Sequence, residues 1–142
     1  MIKFERVSGY DDVMLPKRAT KGSAGYDFYL TEDVDVMPNE VVLVPTGIRC
    51  QMPSDIVLML FPRSGLGFKY GMRFANTTGI IDSDYYYSDN EGHMMCKFTV
   101  DKELHLKKGE RFMQGVFVKY YTTDDDNADG IRNGGFGSSG RV

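Results

Sequence analysis

The feature that most limits how this chain can fold is the lack of any sustained helical period. Apolar residues come instead in short alternating or β-branched runs, each broken by turn residues. The runs cover residues 2–7, 26–30, 40–44, 47–52, 56–61, 94–100 and 111–121. Pro38-Asn39, Pro53-Ser54 and Lys108-Gly109 mark turns between them. Many short strands with a turn about every ten residues predict an all-β protomer, either a jelly roll or a barrel. Residues 56–61 are apolar throughout, which predicts burial on both faces. In 111–121, the candidate inward residues are Phe112, Val116 and Val118. Three adjacent tyrosines, Tyr85, Tyr86 and Tyr87, cannot all face one core.

The 142 residues favour one domain, and the pattern divides it in two unequal parts. Residues 1–121 read as the β domain. Residues 122–142 read as an acidic linker followed by a glycine-rich C-terminal arm, with five of the chain's 16 glycines between positions 130 and 140. A frayed, solvated terminus is the plain alternative. Arg132 and Phe136 argue against it, being unexpected in a segment otherwise built for flexibility.

Other classes are excluded by composition. No stretch of about 18 apolar residues is present, so no membrane helix is expected. The start Met1-Ile2-Lys3-Phe4-Glu5-Arg6 lacks an apolar signal core, which suggests a cytoplasmic protein. Cys50 and Cys96 lie far apart with no ligand-like spacing and are expected to be reduced thiols. A net charge of −3 argues against stable nucleic-acid binding, which draws on phosphate neutralisation. A small phosphorylated ligand held by a few local cations and amides remains compatible.

Four constellations could carry chemistry. Pro62-Arg63-Ser64-Gly65-Leu66-Gly67-Phe68-Lys69-Tyr70-Gly71 follows an apolar strand and looks like a phosphate cradle, a tight turn whose amides point at an anion. Its glycine–lysine spacing is not that of a P-loop. Gly79-Ile80-Ile81-Asp82-Ser83-Asp84-Tyr85 puts two carboxylates around one serine. On a strand Asp82 and Asp84 would point the same way, and one could act as a general base. Asn76, six residues before Asp82, could offer its amide to a polar ring edge. Ala24-Gly25-Tyr26-Asp27-Phe28 holds one acid in an apolar strand, serving either structure or a hydrated metal. Gly109-Glu110-Arg111-Phe112-Met113-Gln114 brings Arg111 and Gln114 into an apolar strand, which an edge strand would also explain. His93 and His105 fit no ligand or triad pattern; His105 reads as a surface strand residue.

Taken together and in this order, these segments resemble the five motifs of the homotrimeric dUTPase family. Residues 15–28 are similar to the first motif, 62–71 to the second, Asn76 with 79–85 to the third, 109–114 to the fourth and 134–140 to the fifth. The resemblance implies a distorted jelly-roll or β-barrel protomer in a homotrimer, hydrolysing dUTP to dUMP and pyrophosphate. This limits uracil in DNA and supplies dUMP for dTMP synthesis. It implies Asp82 as the base that activates water, and Asn76 with Gly79, Ile80 and Ile81 as readers of uracil. Tyr85 would pack on the deoxyribose. Arg63, Ser64, Gly65 and Gln114 would bind phosphates. Asp27 would reach Mg²⁺ through water only. Arg132 would hold the γ-phosphate, and Phe136, Gly137 and Ser138 would close over the substrate.

Two departures stand out. Tyr85 is followed by Tyr86-Tyr87-Ser88-Asp89-Asn90-Glu91-Gly92, an apparent insertion in which Gly92 takes the place of the family's earlier glycine. Only Asn133 separates Arg132 from the glycine pair, where two residues are common. Among rival readings, a dCTP deaminase of the same fold needs an acid placed to activate water at cytosine C4. A nucleotide-sensing module without catalysis would be expected to lose Asp82 or the arm. The lengthened segment is the natural surface for an unidentified protein regulator.

Overall fold

Alternation along the chain becomes twelve strands in the computed structural model, which describes residues 1–136. They are β1 (Lys3–Arg6), β2 (Lys17–Arg18), β3 (Tyr26–Tyr29), β4 (Val34–Val36), β5 (Val42–Pro45) and β6 (Ile48–Gln51). After these come β7 (Ile56–Pro62), β8 (Arg73–Phe74), β9 (Gly79–Ile81), β10 (Met95–Thr99), β11 (Leu104–Leu106) and β12 (Arg111–Lys119). A short helix α1 (Ser64–Tyr70) and a 3₁₀ turn (Ser83–Tyr87) lie between strands.

Among the described residues all strand pairings are antiparallel. The largest sheet runs β2-β3-β12-β7-β9, a second runs β5-β10-β8, and β1-β6 and β4-β11 form two-stranded ladders. Strands distant in sequence are thus neighbours in space, as the all-β jelly-roll expectation requires. Between the sheets lie Phe28, Val36, Val44, Ile48, Leu58, Leu60, Phe98 and Phe112, each at most 1% exposed. At one end Phe4 packs its ring 5.5–5.6 Å from those of Tyr26, Phe28 and Phe117, a geometry worth more than area alone.

Two burial expectations need correction. Strand β7 is not buried on both faces. Leu58 and Leu60 enter the core, while Ile56, Val57, Met59 and Phe61 are only partly covered. An antiparallel sheet can leave one face without a packed layer, whatever its composition. On β12 Phe112 is inward as expected, but Val116 is half-buried and Val118 is 39% exposed. The pairing with β3 shifts register between Arg111 and Met113. This bulge puts Phe112 and Met113 both in the core and reverses the alternation after them, so Gly115 is the next fully inward position. Cys50 and Cys96 are free and buried, with thiols pushed up to about 12 by desolvation.

Candidate active site

The third motif is built where β9 leaves the large sheet. Pairing with β7 sets Gly79 opposite Leu60 and Ile81 opposite Leu58, which anchors the end of the strand. Between β8 and β9 the chain turns through Asn76 and Thr77, with the Thr78 N–H bonded to the Asn76 carbonyl at 2.7 Å. Thr77 has φ +68°. A β-branched residue in the left-handed region stores about 1–3 kcal/mol of strain, and such strain gathers at binding sites. No propensity rule would have found Thr77. Asn76, Thr78, Ile80, Ile81, Asp82 and Tyr85 line a cleft of about 300 Å³, closed on one side by Arg132, Gly135 and Phe136. A larger cavity of about 610 Å³ adjoins it, sharing Asn76 and Phe136 and including Gly79 and Met95.

Asp82 and Asp84 do not alternate on a strand. Strand β9 ends at Ile81, Asp82 stands in the N-cap position, and Asp84 lies in the first 3₁₀ turn. They nevertheless converge on one cation. Arg132 sets Nη2 2.6 Å from Asp82 Oδ2 and Nε 2.7 Å from Asp84 Oδ1. The turn separates the three tyrosines as expected. Tyr85 is 3% exposed, Tyr86 half-buried and Tyr87 71% exposed. The Tyr85 hydroxyl donates to the His93 carbonyl and accepts from Asn90 Nδ2 at 2.8 Å. Burial raises its pKa, so the phenol stays neutral. Its ring meets that of Phe136 edge-on at 5.5 Å.

The second motif is a helix rather than the expected turn. The chain enters α1 at Ser64, buries Leu66, and ends with the Gly71 N–H bonded to the Gly67 carbonyl in a left-handed cap. Lys69 lies in the last turn, where a cation is favoured. Gly71 and Lys69 were the legible signals for this helix.

At its start Arg63 Nε lies 3.2 Å from Asp27 Oδ1, and Arg111 Nη1 lies 3.7 Å from Asp27 Oδ2. Asp27 is 8% exposed, so these arginines supply the partners that a buried carboxylate needs. Asp27 on β3 is paired with Gln114 on β12, and Gln114 Nε2 donates to the Pro62 carbonyl at 3.1 Å. Strand β12 is central in its sheet, so edge exposure does not account for Arg111 and Gln114. Asp27, Arg63, Ser64, Gly65 and Gln114 line a cleft of about 380 Å³ that shares no residue with the first. Gly137 and Ser138 lie outside the described residues.

The dUTPase family model matches residues 11–140. Deoxyuridine 5'-triphosphate nucleotidohydrolase of Lactococcus lactis is 44% identical over 145 residues, covering 96% of each chain. The enzyme of that name from Escherichia coli is 36% identical, covering 89% of this chain and 87% of its own. The crystal structure of dUTPase from Streptococcus mutans aligns with a TM-score of 0.77 at 40% identity, over 85% of this chain and 98% of that one. The dUTPase from phage phi11 of S. aureus shares the fold at 20% identity, with a TM-score of 0.73 over 92% and 97% of the two chains. With its motifs in family order and its strands in the family's fold, this chain belongs to the dUTPase family.

Proposed function

We propose that this protein hydrolyses dUTP to dUMP and pyrophosphate, with water attacking the α-phosphorus. What carries this reading is the setting of the Asp82 carboxylate. It stands at the mouth of the strand-end cleft, 48% exposed, between the Asn76 hairpin and Tyr85. From there it can take a proton from water. Attack on a phosphoric anhydride otherwise needs position and charge neutralisation. Asn76 and the backbone of Gly79–Ile81 offer amide donors and acceptors to a uracil edge. The buried ring of Tyr85 leaves little room for a 2′-hydroxyl. Arg63, Ser64, Gly65 and Gln114 offer cation, hydroxyl and amides to phosphates, and Arg132 to the terminal phosphate. Phe136 would cover the base, with Gly137 and Ser138 following.

In one chain the two clefts share no residue. That separation supports a homotrimer in which the site is completed between subunits. The lack of any strand or helix after Lys119 among the described residues supports residues 122–142 as an arm distinct from the β domain of residues 1–121. Among the described residues no cluster of three or more His, Cys, Asp or Glu side chains could cage a metal. Asp27, with an arginine at each carboxylate oxygen, fits only an indirect role toward Mg²⁺, which keeps several waters and takes its other ligands from substrate phosphates. Asp27 would hold it through water, and bound there it would neutralise phosphate charge. Such an enzyme would limit uracil in DNA and supply dUMP for dTMP synthesis.

The test is purified protein with dUTP and Mg²⁺, assayed for dUMP and pyrophosphate. Product should form, and Asp82→Asn should abolish most of it. No product above background, or an Asp82→Asn variant as active as wild type, ends this reading.

A further inference from the structure

We propose that residues 82–92 are a resting berth for the chain's own arm, in which Arg132 is a latch that a polyphosphate must release. The polyphosphate in this proposal rests on the dUTP reading above; the berth does not.

Several neighbouring arm residues are engaged, each by a different kind of contact. Arg132 bridges Asp82 at 2.6 Å and Asp84 at 2.7 Å. The Asn133 carbonyl accepts the Asp89 N–H at 3.1 Å. Gly135 passes so close to Tyr85 that a Cβ there would stand 2.5 Å from Tyr85 Cε1. Phe136 then lays its ring edge-on to Tyr85. Charge alone would leave the register loose, whereas a backbone hydrogen bond and a close approach define it. Arg132 Nη1 also donates to the Gly134 carbonyl at 3.1 Å, which bends the arm into the berth.

The berth is itself held from beneath. Arg49 lies 3.7 Å from the Tyr86 ring centroid and donates to the Tyr86 carbonyl at 3.0 Å and the Glu91 carbonyl at 2.6 Å. One guanidinium thus ties both ends of the lengthened segment. Glu91 accepts from Ser8, and the Asn90 amide reaches Tyr85. At Gly92, φ is +70° and a Cβ would meet the Tyr85 carbonyl at 2.7 Å, so the segment closes only with glycine there.

In this arrangement Arg132 cannot also clasp a triphosphate, and one Asp82 oxygen is occupied by a cation. A triphosphate carries more negative charge than two carboxylates, so it draws Arg132 away and frees Asp82 in one exchange. Resting contacts scale apparent affinity down to the fraction of arms that are unlatched. Asp84 is therefore a positioning residue that acts through Arg132.

Asp84→Asn tests this directly, since that side chain is 55% exposed and its loss of charge does not threaten the fold. Without nucleotide, trypsin should cut after Arg132 slowly in the wild type and about threefold faster in the variant, as expected for one partly exposed ion pair. Mass spectrometry of the released fragment reads the rate. Added salt should speed cleavage in the wild type more than in the variant. The variant's KM for dUTP should fall by a similar factor at unchanged kcat. Equal cleavage rates, or an unchanged or raised KM, overturn the latch. A wild type inactive on dUTP overturns the functional reading instead, and the cleavage rates still decide the berth.

Discussion

The strand-end cleft and the helix-start cleft solve opposite electrostatic problems. In the first, two acids, Asp82 and Asp84, face outward and are bridged by one arginine from the C-terminal segment. In the second, one buried acid, Asp27, is outnumbered by Arg63 and Arg111. The first therefore keeps one net negative charge after this pairing, and an anion must draw the arginine away from it. The second keeps surplus positive charge for an anion. A negative charge costs little near surplus cations and much near unpaired acids. The division suits a molecule with a neutral ring at one end and phosphates at the other.

The largest effect should come from Asp82→Asn, which is expected to lower kcat by about 10²–10⁴-fold, while KM falls only by a factor like that of Asp84→Asn as Arg132 loses a partner. Steady-state hydrolysis of dUTP measures it. Removal of residues 131–142 should follow, costing about 10²-fold in kcat/KM through lost positioning and closure. Size-exclusion chromatography should give the same elution for the shortened and the full chain, as the proposed trimer requires.

Arg63→Gln should act on the other cleft and in the other parameter, raising KM by about tenfold, the worth of about 1.4 kcal/mol. It should also lower stability by about 1–3 kcal/mol in a urea titration, because Asp27 keeps only the longer contact to Arg111. If Asp82→Asn raised KM, or Arg63→Gln lowered kcat as strongly as Asp82→Asn, the division between the clefts would be broken.

The smallest effect is a pH dependence of stability behind the strand-end cleft. His93 is buried, accepts the Gly47 N–H on Nε2 at 2.9 Å, and packs against Tyr10. Desolvation holds its pKa below 6.5, with Glu91 opposing weakly. Below pH 6.5 the unfolded chain takes a proton that the folded chain refuses. Stability should therefore erode as pH falls from there, by at most about 1.4 kcal/mol per pH unit. His105 has the opposite sign. Its hydrogen bonds to Asp35 and then Glu103 raise its pKa, so its contribution is present at low pH and fades as pH rises. It is exposed and screened, and His93 should dominate. Thermal midpoints between about pH 5 and 8 should fall on the acid side, and His93→Gln should flatten that limb.

The longer strands were legible because pairing partners impose period two on side chains, and each predicted run ends within a residue or two of an observed strand. Strands β2, β4, β8, β9 and β11 lie outside those runs, being two or three residues long and too short to show a period. Asp27 and Gln114 stood out as polar residues in apolar runs, and they are register partners on β3 and β12. Arg132 and Phe136 stood out against a glycine-rich background, and both touch the strand-end cleft. Asp84 was legible as an acid but not as a partner of Arg132, because 48 residues of chain separate the two. Thr77 gave no signal, since its strain exists only in the folded hairpin. Arg49 gave none either: its two carbonyl partners, Tyr86 and Glu91, are not visible as acceptors in any pattern of side chains.

By itself, the sequence determined the all-β class, the order of the motifs and the polar residues those motifs carry. Each of these depends on local composition and spacing. Only the tertiary structure decided which of those residues meet. A bulge at Arg111–Met113 turned Val116 and Val118 away from the core, and a helix replaced the turn at Ser64. A 3₁₀ turn removed Asp82 and Asp84 from strand geometry, yet one arginine from the arm joined them again. The physical reason is range. Propensity and periodicity act over a few residues, while charge pairing and close packing act between surfaces that the chain brings together only on folding.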